Sequence, residues 1–145
     1  MSKVCVVDAS VVLKWFLPEP DSATADYLLE QFLNNEVELL APDIMLIEAA
    51  NALWKRVVFQ KLLSANEATL IHRDLLTLPI ALIDSESLAS AAFQVALQHN
   101  HPVYDSLYCA LAIARRCDFV TADRTLANKL RDVFPFIVHL SAIKQ

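Results

Sequence analysis

Short apolar runs alternate with longer stretches of helical periodicity along this chain, and that alternation limits the folds open to it. Residues 3–8 read as a buried strand, apolar after Lys3. Residues 9–16 continue as a turn or short helix that stops at Leu17-Pro18-Glu19-Pro20. Ala25, Leu28, Leu29 and Phe32 give helical spacing over 22–33. Glu38 to Ala41 is a second strand closed by Pro42. Asp43 then reads as the N-cap of a helix to about Phe59. Ser64 and Glu67 form a capping-box pattern opening a helix to about Leu76. Residues 79–83 read as a third strand, with a helix from Asp84 or Ser85 to about Asn100. Asp105 sits where the next helix begins, and Leu107, Ala110, Leu111 and Ala114 share one face of it. Residues 118–121 are a fourth strand, 124–133 a short helix and 136–140 a fifth strand. Strands alternating with helices predict an α/β fold: a mostly parallel sheet of about five strands, helices on both faces and right-handed crossovers. No linker or repeat divides the 145 residues, so 1–145 reads as a single domain.

Composition removes several function classes. Apolar residues make up 56% of the chain, yet no run reaches the roughly 18 that a spanning helix needs. Two readings of that excess stand side by side: apolar surface covered by an oligomer or partner, and a helix-rich domain that uses Leu and Ala heavily. Asp8 interrupts the first apolar stretch too early for a signal peptide. Three cysteines, Cys5, Cys109 and Cys117, fit a reduced, cytoplasmic compartment better than a disulfide framework. The net charge of −5 argues against a broadly basic nucleic-acid binder but leaves room for a local basic rim. Because the chain has no glycine, Walker- and Rossmann-type phosphate loops are excluded.

Two strands run straight into acids: the first ends at Asp8, and the fourth reaches Asp123. Glu48 lies in the first turns after the second strand, and Asp105 opens the helix before the fourth. All four fall at the carboxyl edge of the expected sheet, where open α/β folds bind ligands. Four carboxylates repel one another unless cations neutralise them, and carboxylate-rich oxygen sites suit Mg²⁺ or Mn²⁺. Each acid also has a plainer reading: Asp105 and Asp123 as helix caps, and Glu48 as a favourable charge at a helix start. Asp8, beside a buried strand and with no obvious helix to cap, is the hardest to read that way.

Val6-Val7-Asp8-Ala9-Ser10 resembles the opening motif of PIN-domain ribonucleases. Ile47-Glu48-Ala49-Ala50-Asn51 resembles their second motif, Tyr104-Asp105-Ser106-Leu107-Tyr108 their third, and Phe119-Val120-Thr121-Ala122-Asp123 their fourth. Order and spacing match over nearly the whole chain, and the length suits the compact VapC-like toxins of type II toxin–antitoxin systems. The resemblance implies a PIN-like three-layer α/β/α fold and a Mg²⁺- or Mn²⁺-dependent endoribonuclease. Asp8, Glu48, Asp105 and Asp123 would be its catalytic metal ligands. It further implies an RNA substrate, a cognate antitoxin filling an apolar groove, and a homodimer. Ser10 and Thr121 become candidates to hydrogen-bond a ligand carboxylate or a metal-bound water, beside their plainer readings as a turn residue and a strand residue. Asn51, one turn from Glu48, is a candidate to orient it and equally a solvent-facing residue. Arg124 and Lys14 are candidate phosphate contacts. Arg115 and Arg116 read better as a helix end, and Tyr104 and Tyr108 as core packing, with Tyr104 also a candidate to stack on a base. Many such toxins carry another Asn or Asp soon after the fourth motif. Here Arg124-Thr125-Leu126 follows and the nearest later amide is Asn128, which leaves open whether one ion or two is bound.

Two other classes compete. A phosphoryl-handling receiver or phosphatase would want a second acid beside Asp8 or at residue 10, which is Ser. A non-catalytic PIN-like RNA- or protein-binding domain would not need all four acids.

Overall fold

The structure, a computed structural model, describes residues 3–145. Its elements run β1 (Lys3–Val7), α1 (Ala9–Leu13), α2 (Ser22–Leu33), β2 (Val37–Pro42), α3 (Ile44–Val58), α4 (Ala65–Leu75), β3 (Ala81–Ile83), α5 (Ser85–His99), α6 (Val103–Arg115), β4 (Asp118–Thr121), α7 (Arg124–Leu130) and β5 (Ile137–His139). A 3₁₀ turn, Leu140–Ala142, follows. The strands form one sheet in the order β3-β2-β1-β4-β5, every neighbouring pair parallel. Helices flank this sheet. Val6 and Val7 in β1, Leu39 and Leu40 in β2, and Phe119 in β4 are fully buried, as expected for a parallel sheet covered on both faces.

The order 3-2-1-4-5 places a topological switch between β1 and β4, because the chain leaves β1 for one side of the sheet and returns on the other. Crossovers diverging from that point open a crevice beyond the strands' carboxyl ends. Asp8 and Asp123 sit at that crevice.

Local chemistry explains most boundaries. Ser64 Oγ accepts from Glu67 N and Glu67 Oε1 accepts from Ser64 N, completing the expected capping box of α4. Asp43 stands at the expected N-cap of α3, but its side chain makes no bond to that helix. Its Oδ1 accepts from Ser85 N, while Ser85 Oγ accepts from Ile44 N, both at 3.1 Å. Each residue thus caps the other's helix and ties the β2–α3 junction to the β3–α5 junction. The third and fifth strands are shorter than their apolar runs. Pro79 has no amide proton for a ladder, and Leu140 turns into the 3₁₀ segment. With no glycine available, α5 and α6 end on Asn100 and Arg116 in the left-handed region, at φ 49° and 52°.

No helix among the described residues is long and apolar enough to cross a membrane. All three cysteines are free thiols; Cys5 and Cys109 are buried in the core.

Candidate functional site

Asp8 leaves β1 into the switch crevice and is half-buried there. It caps α1, with Oδ1 accepting from Val11 N at 3.3 Å. This overturns the expectation that Asp8 has no helix to cap: five residues after it are helical. Capping uses little of its hydrogen-bonding capacity. Ser10 Oγ donates to Oδ1 at 2.5 Å, and Thr121 Oγ1 donates to Oδ2 at 2.5 Å from the far end of the sequence. Ser10 Oγ also accepts from Ala122 N at 3.0 Å, and Thr121 Oγ1 accepts from Asp123 N at 3.1 Å. One chain of hydrogen bonds therefore joins the ends of β1 and β4 and fixes the turn carrying Asp123. Asp123 is exposed and caps α7 through Leu126 N at 3.1 Å, the cap its position suggested.

Glu48 is half-buried on α3. Tyr108 Oη, on α6, donates to its Oε1 at 2.5 Å. The Tyr108 ring is 1% exposed and stacks on Phe119 of β4, with centroids 5.4 Å apart and planes at 11°. Tyr108 is core, as expected, but its hydroxyl points at a site acid. Asn51 is exposed, and among the described residues no hydrogen bond joins it to Glu48. Asp105 lies in the first turn of α6, whose N-cap position belongs to Pro102, so the capping reading of Asp105 fails. His101 Nε2 meets its Oδ2 at 3.2 Å. The imidazole side chain is 8% exposed, and Nδ1 is buried without a partner among the described residues. An unpartnered lone pair costs less than an unpartnered N–H, so the proton belongs on Nε2, facing the carboxylate.

The acids sense one another. Burial raises the Asp8 pKa to about 6 against the lowering pull of Ser10, Thr121 and Val11, and the Asp105 charge raises it further. Glu48 is likewise raised by burial, opposed by Tyr108, and pushed further by Asp105 and Asp8. Burial raises Asp105 in spite of His101 and Lys129, and Asp123 adds to the rise. Burial, and then the charges of Glu48, Asp8 and Asp105, push the Tyr108 phenol far above its usual value, so it remains a donor. Among the described residues no three His, Cys, Asp or Glu side chains already close into a cage for one ion. Each carboxylate is instead turned onto its own hydroxyl, imidazole or amide donor. The donor set is wholly carboxylate oxygen, which fits hard divalent cations such as Mg²⁺ or Mn²⁺ and not a thiolate-seeking metal.

The candidate cations divide. Lys14 Nζ lies 3.1 Å from Glu19 Oε2, with its side chain 10% exposed, so an ion pair inside the chain occupies it. Arg124 is exposed at the start of α7 beside Asp123. Lys129, which the sequence reading passed over, donates to Asn100 O at 2.9 Å and lowers the Asp105 pKa. Arg115 and Arg116 end α6, far along the helix from Asp105. Tyr104 is exposed next to Asp105, not packed in the core as expected. A separate groove of about 750 Å³, lined in part by Lys3, Tyr27, Gln31, Glu36 and Asp118, opens at the opposite, amino-terminal edge of the sheet and shares no residue with the acids.

Known proteins resemble this chain in sequence and in fold. A PIN-domain family model matches residues 5–130. Ribonuclease VapC3 of Pyrobaculum aerophilum is 36% identical over 135 residues, covering 92% of this chain and 96% of that protein. Among solved structures, PAE2754 from Pyrobaculum aerophilum superposes with a TM-score of 0.68 at 22% identity, over 97% of this chain and 93% of that one. VapBC2 from Rickettsia felis, bound to a DNA fragment from its promoter, gives 0.61 at 17% identity over 94% and 96%. FitAcB from Neisseria gonorrhoeae gives 0.60 at 14% over 96% and 99%. The three structures share the fold, and the expected three-layer α/β/α arrangement is this one. With the family model spanning the acid-bearing strands and helices, and a relative matched almost end to end, this chain belongs to the PIN-domain family.

Proposed function

We propose that the protein is a divalent-metal-dependent endoribonuclease, the toxin of a toxin–antitoxin pair, acting in the cytoplasm as one PIN domain. The observation that carries this reading is the gathering of Asp8, Glu48 and Asp105 at the switch crevice. There the Asp105 charge raises the pKa of Asp8 and of Glu48, Asp8 adds to the rise of Glu48, and none of the three is paired with a lysine or arginine side chain among the described residues. A fold gains nothing in stability from such an arrangement, so the acids answer to a charge that arrives with a ligand. Asp8, Glu48, Asp105 and Asp123 are the residues that would hold Mg²⁺ or Mn²⁺. When bound, such an ion lowers the pKa of water and offsets charge on a scissile phosphodiester. The chain's own residues aim the oxygens: Ser10 and Thr121 fix both oxygens of Asp8, Thr121 fixes the Asp123 turn, and His101 orients Asp105. Arg124 at the exposed rim is placed to meet a substrate phosphate, with Tyr104 beside Asp105 as a face for a base.

The partner reading rests on α3. Ile47, Trp54 and Val58 are exposed along that helix, and Phe59 and Leu62 continue the apolar surface beyond its end. An antitoxin segment laid on that stripe would pass beside Glu48. Phe93 and Leu97, one turn apart and exposed on α5, suit a homodimer contact.

Cleavage of single-stranded RNA should require Mg²⁺ or Mn²⁺, stop with EDTA, and fall by at least about 10³-fold in Asp8→Asn and Asp105→Asn with the fold intact. Expression of the chain alone should arrest growth, and either substitution should relieve the arrest. Full activity in EDTA sinks the mechanism. RNA binding without cleavage in any metal favours the non-catalytic reading.

A further inference from the structure

The Tyr108–Glu48 bond joins two helices 60 positions apart. Tyr108 lies three residues after Asp105, so one face of α6 presents both an acid of the site and a donor to a second acid. Its ring is buried in the core, 1% exposed, and stacks on Phe119 of β4, two residues before Thr121. Glu48 faces two like charges, Asp8 and Asp105, and no lysine or arginine side chain among the described residues pairs with it. Left to Coulomb repulsion, a glutamate with three rotatable bonds would swing toward solvent. The phenol occupies Oε1 and leaves Oε2 uncommitted.

We propose that Tyr108 is a positioning residue for the metal site: its hydroxyl holds Glu48 in the crevice against Asp8 and Asp105, and so sets the affinity of the acidic edge for a divalent cation. This inference rests on the metal-dependent reading above. A group that orients a carboxylate ligand typically changes metal affinity 10- to 100-fold when removed. Phenylalanine at 108 would keep the stack on Phe119 and remove only the donor.

The test is Mn²⁺ binding to the full chain by titration calorimetry, alongside RNA cleavage as a function of Mn²⁺ concentration. Tyr108→Phe should raise the Mn²⁺ dissociation constant about 10- to 100-fold, and cleavage should fall at limiting Mn²⁺ and recover as Mn²⁺ rises. In a Glu48→Gln background the same change should cost nothing further, because the hydroxyl acts through Glu48. Phe119→Leu is the stability control: it loosens the stack, keeps the hydroxyl, and should bind Mn²⁺ within a fewfold of wild type. Wild-type affinity in Tyr108→Phe overturns the proposal. So does a full additive loss in the Glu48→Gln background, or an equal loss in Phe119→Leu. Wild-type protein that binds no Mn²⁺ would instead sink the metal reading, and this inference with it.

Discussion

Two groups of half-buried carboxylates in this molecule have opposite surroundings. Glu19, in the Leu17-Pro18-Glu19-Pro20 stop, accepts from Arg56 at 2.6 Å through Oε1 and from Lys14 at 3.1 Å through Oε2. Burial pushes its pKa up, yet Arg56 and Lys14 together pull it below the usual carboxylate range. At the switch crevice burial also pushes upward, but the donors to Asp8 and Glu48 are neutral hydroxyls and a backbone amide, and the charges that act on them are other carboxylates. The first arrangement is a clamp between the end of α1 and the last turns of α3. The second is destabilising on its own account. Lys14 and Arg56 neutralise the first acid, while among the described residues no lysine or arginine pairs with Asp8 or Glu48, the contrast on which the proposed metal reading rests.

The contrast is sharpest in stability. Removing the Glu19 charge strands two largely buried cations, so Glu19→Gln should cost about 3 kcal/mol by urea denaturation. Removing the Asp8 charge relieves a penalty. Allowing for partial exposure, Asp8→Asn should gain about 2 kcal/mol in EDTA, while cleavage is lost. A stabilised, inactive Asp8→Asn beside a destabilised Glu19→Gln is the expected pair. Equal losses in both would break the comparison.

The two centres should also answer pH with opposite signs. Between the unfolded aspartate value near 4 and the folded Asp8 value of about 6, the folded chain holds the extra proton. Its contribution to stability therefore falls as pH rises through that window. Glu19, lowered in the folded state, holds fewer protons than when unfolded. It gives stability that is present above the unfolded value and lost as pH falls through the folded one. Denaturation of the metal-free protein from pH 7 to pH 4 should narrow the gap between wild type and Asp8→Asn. Saturating Mn²⁺ at pH 7 should narrow it too, by stabilising only the wild type. A gap unchanged in both titrations would show that Asp8 carries no electrostatic burden.

What the sequence made legible follows from the range of each interaction. Strand and helix identities were readable because apolar runs and 3.6-residue spacing are local, and parallel pairing followed from alternation. Asp8, Glu48, Asp105 and Asp123 were readable as a set because strand ends fix where such residues emerge. Their partners were not. Tyr108 reads as core packing and is core; only its contact across 60 positions makes it a donor to Glu48. His101 stands four residues before Asp105, but Pro102 separates it from the helix, so helical spacing gave no reason to pair them. Asp43 illustrates the converse. Its local capping signal was correct in position, yet Ser85 brings a better partner from another junction. Lys14 was read as free for phosphate because the fold that brings Glu19 to it is a tertiary matter.

The smallest effect separates strain that serves the site from strain that does not. Arg116 ends α6 at φ 52° and ψ 50°, exposed, at the end of the helix away from Asp105. A side chain with a Cβ pays about 1–2 kcal/mol there, and glycine returns part of that through a freer unfolded chain. Arg116→Gly should therefore gain about 0.5–1 kcal/mol, with Mn²⁺ affinity and cleavage as in wild type. Asn100 adopts the same backbone region at φ 49°, but its carbonyl accepts from Lys129, whose charge reaches Asp105. If Arg116→Gly altered Mn²⁺ binding, α6 would transmit strain along its length, and the division between a structural end and a functional end of that helix would fail. Unchanged binding with raised stability would instead confine the molecule's electrostatic cost to the crevice, where Asp8, Glu48 and Asp105 meet.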